Sequence, residues 1–296
     1  MKKRMMKRVG CLFLAAAMMV SSFSMPVMAE EEPQLLLELK FEESVKDYSP
    51  LNNEITYVAG DAHYVEGVSG SALRMSYGSR VFLGKKEEYN PENLTLSFWI
   101  RSEGGMREQV IFNSSEGGMS GGWYVGTSRD NALVMEFGAT NYSYFDKNYT
   151  VCVPVNYDEF FDMHEWTHVV ITYCSETKLA KVWKNGHPVS VEYLNEKEHG
   201  QIMPNNSPKY IGYGHVKGDI RYLEATIDEL KLYSGAADSK MIEDLFMEVE
   251  LNVDKTLLAD WIAIAKQKNN DDGKFTPPAI YHRISSQKIY CALPPL

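Results

Sequence analysis

Cysteine is scarce in this chain, with four among 296 residues. Cys11 falls in an apolar N-terminal run, leaving Cys152, Cys174 and Cys291. Cys152 and Cys174 both sit in strand-like runs, where a bridge and two buried free thiols are both open readings, and Cys291 has no evident partner. No CxxC pair, P-loop or Ser-His-Asp arrangement is present. Basic residues are also few. Without residues 1–29, which carry five of them and no acidic residue, the chain holds 25 basic against 40 acidic residues, a balance of −15. That deficit argues against nucleic acid or anionic lipid as a partner. Beyond the N-terminus no apolar run is long enough to cross a bilayer, for which roughly 20 residues are needed. Helical periodicity is missing until about residue 238, so strand–helix–strand alternation is excluded for most of the chain.

The N-terminus has the layout of a targeting segment. Lys2, Lys3, Arg4, Lys7 and Arg8 precede the apolar run Cys11 to Val20, and Val27-Met28-Ala29 puts small residues where a signal peptidase reads them. Residues 1–29 are therefore expected to be a signal peptide cleaved after Ala29, with an uncleaved anchor as the alternative. The expected product is secreted and extracellular.

The rest of the chain is short strands punctuated by Gly, Asn and Pro. Trp166 to Gly186 (WTHVVITYCSETKLAKVWKNG) is the clearest stretch. Val169, Ile171 and Tyr173 alternate with His168, Val170 and Thr172, and Asn185-Gly186 is a strong hairpin signal. A strand at Val189 to Tyr193 follows. Leu94 to Arg101 places Leu94, Leu96, Phe98 and Ile100 on one face and Thr95, Ser97 and Trp99 on the other. Further strands are expected at 35–41, 54–58, 80–83, 109–112, 123–126, 133–137, 150–155, 209–213 and 223–233. This pattern specifies an all-β antiparallel sandwich or barrel.

In this order the segments FEESVKDYSPLNN (Phe41 to Asn53), EGVSGSALRM, LTLSFWIRS, WTHVVITY with KVWKNGHPV, IGYG and TIDELKLYSGA resemble the laminin-G-like, concanavalin A-like jelly roll of secreted bacterial proteins. The resemblance covers roughly Leu35 to Phe246. It implies a two-sheet jelly roll over residues 30–248, with Trp99 and Trp166 as large core residues. It also implies one structural calcium, held at Asp47, Asn53 and Asp228, because the first and last strands of a jelly roll lie side by side. Calcium prefers six to eight oxygen ligands, which carboxylates and loop oxygens can supply. This chain departs from the family loop, with Pro50-Leu51-Asn52 where Gly-Asn-Gly is usual. The competing reading makes Asp47 a turn cap and gives Asp228 a basic partner.

Catalysis is not expected. Glucanases of this superfamily carry two carboxylates on one strand, and retaining chemistry needs them about 5–5.5 Å apart. Glu224, Asp228 and Glu229 are wrongly spaced, and Asp158 to Asp162 lies in a loop. Carbohydrate binding is the better match, since sugars are held by accessible aromatics beside amides and carboxylates. The candidates are Trp123 and Tyr124, after the glycine-rich stretch 117–122, together with Asn141, Tyr142, Tyr144 and Tyr149. The alternative is that these rings pack on the sheet. His164 and His168 have a spacing that suits a metal pair on a helix but not on a strand.

Two helices are expected last, one capped by Asp238 or Ser239 and one by Asp254. The segment Asp254 to Thr276 resembles the opening of a FIVAR repeat, so residues 249–296 form either a truncated repeat or a docking tail. The functional expectation is a non-catalytic module binding a poly- or oligosaccharide or a glycoconjugate. The alternative is an accessory piece of a larger secreted glycoside hydrolase.

Overall fold

The computed structural model describes residues 32–249, apart from residue 56 and the segments 105–107, 116–120, 129–131, 140–148, 154–159, 162–163, 196–199 and 217–218. The expected signal peptide and the tail from residue 250, with its second expected helix, lie outside the described residues. The described strands are β1 (Gln34–Leu39), β2 (Tyr57–Ala59), β3 (His63–Glu66), β4 (Ser71–Arg74), β5 (Arg80–Gly84), β6 (Asn93–Ser102), β7 (Val110–Asn113), β8 (Gly122–Thr127) and β9 (Leu133–Ala139). They continue with β10 (Tyr149–Val153), β11 (Trp166–Cys174), β12 (Leu179–Lys184), β13 (His187–Val189), β14 (Glu192–Asn195), β15 (Lys209–Ile211), β16 (Tyr213–Val216), β17 (Asp219–Tyr222) and β18 (Ala225–Ser234).

These strands build two large antiparallel sheets and the separate two-stranded hairpin β16–β17. The first runs β13-β12-β11-β6-β18-β4-β3, with β1 also on β18, and the second runs β14-β10-β9-β8-β7-β15-β5-β2. Of the sandwich and the barrel that the alternating pattern allowed, the sandwich implied by the resemblance is present. Alternate residues of β6 (Leu94, Leu96, Phe98, Ile100), β11 (Val169, Ile171, Tyr173) and β18 (Ile227, Leu230, Leu232) fill the space between the sheets. Trp123, Val125, Met135, Phe137, Val81 and Ile211 meet them from the second sheet. Asn185 and Gly186 both have positive φ, 49° and 74°, as the tight turn between β12 and β13 requires. The Asn185 side chain also accepts the His168 backbone N–H at 2.8 Å.

Three expectations are corrected. Val189 to Tyr193 is not one strand: β13 belongs to the first sheet and β14 to the second, so the chain changes sheets there. The 209–213 segment breaks at Gly212 (φ 76°) into β15 and β16, and β16 pairs with β17 as a separate hairpin. The tryptophans are placed differently from expectation. Trp123 is fully buried between the sheets, stacked on Phe112 with ring centroids 4.3 Å apart, and its Nε1 donates to the Tyr89 carbonyl at 2.8 Å. Trp99 is buried on the opposite, outer face of the first sheet, and Trp166 is half-exposed beneath the Arg101 guanidinium.

Trp99 is covered by helix α1 (residues 239–249). Asp238 caps it by accepting the Met241 backbone N–H at 2.8 Å. Ile242 packs with Val170, Trp183 and Ala237, while the Phe246 ring lies over Trp99 (5.8 Å) and His168 (5.7 Å). Lys231 reaches up from β18 to Glu248 at 2.6 Å. His168 is thereby sealed in beside Ser97 Oγ (2.9 Å), and burial, then Lys231, push its imidazole down to about 3, so it is neutral and structural.

Candidate functional site

The outward-facing residues of the second sheet are unusual for their rings. In β5, Val81 and Leu83 point into the core, which turns Arg80 and Phe82 outward. Ile211 does the same for Tyr210 in β15. After Gly212 the hairpin β16–β17 sets Tyr213 directly opposite Tyr222. Gly212 is required there, since a Cβ would stand 2.3 Å from Met75 Cε in addition to the positive φ. Gly214 lets the hairpin lie against β7, because a Cβ would come within 2.5 Å of Asn113 Nδ2.

The result is a continuous run of aromatic rings. Phe82 and Tyr210 have centroids 5.4 Å apart, Tyr210 and Tyr213 4.8 Å, Tyr213 and Tyr222 5.7 Å, and Tyr222 and Tyr77 4.9 Å. Tyr77, in the turn between β4 and β5, is 77% exposed at the end of the run. The Arg80 guanidinium lies 5.2 Å from the Tyr213 ring centre, and His215 Nε2 is 3.4 Å from the Tyr213 hydroxyl. Arg221 is held by Glu108 (3.0 Å) and Asp219 (3.2 Å). Phe82, Tyr210, Tyr213 and Tyr222 are half-buried by these contacts, and an exposed ring such as Tyr77 can stack on the apolar face of a sugar.

The expected ligand-binding residues fare differently. Trp123 is a core residue, so its ring cannot meet a sugar. Tyr124 faces outward from β8 but is buried, with its hydroxyl donating to the Gln109 carbonyl at 3.1 Å and its pKa pushed up, chiefly by burial. Both assignments are corrected: strand alternation aims one ring inward, and its neighbour is closed over. Asn141, Tyr142 and Tyr144 lie outside the described residues. Tyr149 opens β10, opposite Phe137 of β9.

The acidic residues expected to hold calcium are not brought together. Leu39 pairs with Leu230 of β18 on one side and with Asp47 on the other, so β1 separates Asp47 from β18. Two strand spacings amount to about 9–10 Å. Asp47 instead accepts backbone N–H groups from Glu38 (3.1 Å), Ser49 (2.8 Å) and Asn53 (2.8 Å), the turn-capping arrangement. Asp228 accepts those of Val68 (2.9 Å), Ser69 (3.4 Å) and Glu229 (2.9 Å). Amide donors crowd both carboxylates where calcium would need further oxygens. Among the described residues no group of three or more His, Cys, Asp or Glu side chains could hold a metal ion. These residues do not fit a calcium cage.

Asp228 is placed by a change of neighbours. On the side of β18 away from β6, β4 pairs with residues 226 and 227, and β1 takes over at Leu230. Between them β18 bulges, with Glu229 at φ 45°, and the 67–70 turn fills the gap with its amides. Burial and the adjacent Glu229 push Asp228 up to about 8. The sequence reading missed the aromatic run, for which alternating tyrosines around Gly212 and Gly214 were the available signal.

The chain is thus a two-sheet antiparallel sandwich with a run of aromatic rings along one outer side. The family comparison agrees. Residues 76–243, more than half of the chain, match the concanavalin A-like lectin/glucanases superfamily, and the chain belongs to it. A comparison with curated proteins finds no match. Among solved structures, the chain is similar to domain 4 of AbnA, a GH43 extracellular arabinanase from Geobacillus stearothermophilus, in complex with arabinotriose. The likeness has 18% identity and a TM-score of 0.55, covering 73% of this chain and 99% of that one. It is also similar to the binding domain of paraclostridial mosquitocidal protein 1 (21% identity, TM-score 0.53, 72% of this chain and 52% of that one). The binding domain of botulinum neurotoxin serotype C1 is a further match (16% identity, TM-score 0.55, 73% and 52%). The chain thus spans about half the length of these toxin binding domains, and the likeness is one of fold.

Proposed function

We propose that this chain is a secreted, non-catalytic carbohydrate-binding module that engages its glycan on the aromatic run formed by β5, β15 and the β16–β17 hairpin. The observation that carries the reading is the continuous aromatic run from Phe82 to Tyr77, half-buried along its length and exposed at Tyr77, on a sandwich of the lectin/glucanase superfamily. The solved relatives described above are binding domains or, in one case, a domain of a larger hydrolase. That case supports a second reading, in which the module serves a glycoside hydrolase encoded with it, since its match takes in 99% of the arabinanase domain.

Affinity electrophoresis through gels containing soluble arabinan, xylan or mixed-linkage β-glucan tests the first reading. Retardation by at least one polysaccharide is expected, with Tyr77→Ala and Tyr222→Ala each reducing it while leaving the melting temperature unchanged. Equal mobility in every gel would overturn it. An in-frame hydrolase in the downstream genomic sequence would favour the accessory role.

A further inference from the structure

A second group of side chains stands on the outer face of the first sheet. Leu73, Ile227 and Ile100 pair across β4, β18 and β6 and point into the core. Strand alternation turns their neighbours Arg74, Thr226 and Arg101 outward in one row. His63 of β3 and Trp166 of β11 extend the row at its two ends. Glu103, just past β6, gathers it. Its Oε1 lies 2.5 Å from Arg74 Nη1 and accepts from Arg101 Nε at 3.1 Å and from the Thr226 hydroxyl at 3.3 Å. Its Oε2 lies 3.4 Å from His164 Nδ1. Thr226 is fully buried, so the carboxylate is anchored from beneath, and the Arg101 guanidinium rests 5.1 Å from the Trp166 ring centre.

Two guanidiniums therefore share one carboxylate oxygen. A guanidinium carries five N–H donors, and Arg74 spends one through Nη1 and Arg101 one through Nε. Their other N–H groups meet no acceptor among the described residues, and the two side chains are 28% and 26% exposed, so water and solutes reach them. Burial, then Arg101, push the pKa of the Arg74 guanidinium down, while Glu224 acts the other way without forming an ion pair. An incoming carboxylate would relieve this crowding of like charge, since each planar fork can give it two parallel bonds. The chain from residue 30 carries 25 basic against 40 acidic residues, a field that opposes polyanions and leaves a singly charged ligand as the match.

We infer that Arg74 and Arg101, fixed in place by Glu103, form a subsite for a single carboxylate group, carried by a uronic acid residue or by a small organic acid. The subsite belongs to the first sheet and does not depend on the glycan reading of the aromatic run.

Isothermal titration of the full chain with galacturonate, its uncharged methyl ester and acetate tests this. Galacturonate is expected to bind about 10-fold more tightly than the ester, and Arg74→Gln and Arg101→Gln each to weaken it by about 10-fold with little change in melting temperature. Arg74→Lys keeps the charge beside Glu103 but loses the fork, and as the milder variant it should weaken galacturonate several-fold. Acetate bound as tightly as galacturonate would support the subsite and place its affinity in the carboxylate alone. Galacturonate bound in preference to acetate would support it with a sugar ring as the carrier. Acid and ester bound equally, or binding unchanged in both glutamine variants, would overturn the inference, as would no binding of galacturonate or acetate. None of these outcomes alters the gel retardation or the tyrosine variants that test the aromatic run.

Discussion

Asp228 shows how one buried side chain organises two distant segments. Its oxygens receive three backbone N–H bonds, two of them from the 67–70 turn, and Gly67 approaches so closely that a Cβ would lie 2.5 Å from Oδ2. A carboxyl group, charged or protonated, keeps both oxygens able to accept; an asparagine turns an NH2 toward one set of donors. Asp228→Asn is therefore expected to cost about 1–3 kcal/mol in urea unfolding, the penalty of a buried unsatisfied donor. Titration adds a second prediction. Burial raises Asp228 to about 8 and Glu229 to about 7, from ordinary values of 3.8 and 4.5. The folded chain thus holds protons that the unfolded chain has released. That stabilisation is complete below about pH 4 and is lost as the pH rises through 7 to 8. The urea midpoint should fall between pH 5 and pH 8.5, and fall less in Asp228→Asn. At this scale the sequence shows which residues share a face but not which face is the core. Hence Trp123 turned out to lie between the sheets and Trp99 on the outer face beneath α1, although the alternation of each strand was readable.

At the scale of elements, local chemistry was legible wherever it was self-contained. The Asn185-Gly186 turn, the Asp238 cap and the two faces of β6 and β11 all follow from residues within a few positions of one another. The switch of sheets between β13 and β14 was not, because continuous β-type composition carries no mark of which partner strand waits on either side. Helix α1 owes its position to tertiary contact: Phe246 covers Trp99 and His168, and Lys231 meets Glu248. Phe246→Ala should lower stability by about 1–3 kcal/mol, less than for a fully enclosed Phe because the ring is half-buried. Hydrogen exchange should show faster exchange of the 241–249 amides in this variant. The Asp47 loop yields a different test. Its carboxylate is satisfied by three amides, so excess EDTA is expected to leave the melting temperature unchanged; a clear drop would return calcium to the account.

At the scale of the molecule, period-2 strands with frequent turns narrowed most of the chain to a sandwich or barrel, and the family resemblance pointed to the sandwich. The binding face was not foreseen. Its rings come from residues 77, 82, 210, 213 and 222, separated by most of the chain and joined only when β15 pairs with β5 and the β16–β17 hairpin folds back. Clusters close in sequence drew attention instead, and of those Trp123 and Tyr124 are enclosed. The central claim, that the aromatic run is the glycan-binding surface, is tested most directly by chemical-shift mapping. Isotope-labelled protein would be titrated in turn with arabino-, xylo- and cellotetraose. The account predicts that at least one sugar shifts the amide and ring signals of Tyr77, Arg80, Phe82, Tyr210, Tyr213, His215 and Tyr222 together. Shifts confined to residues 141–149, or no shift with any of the three, would contradict it.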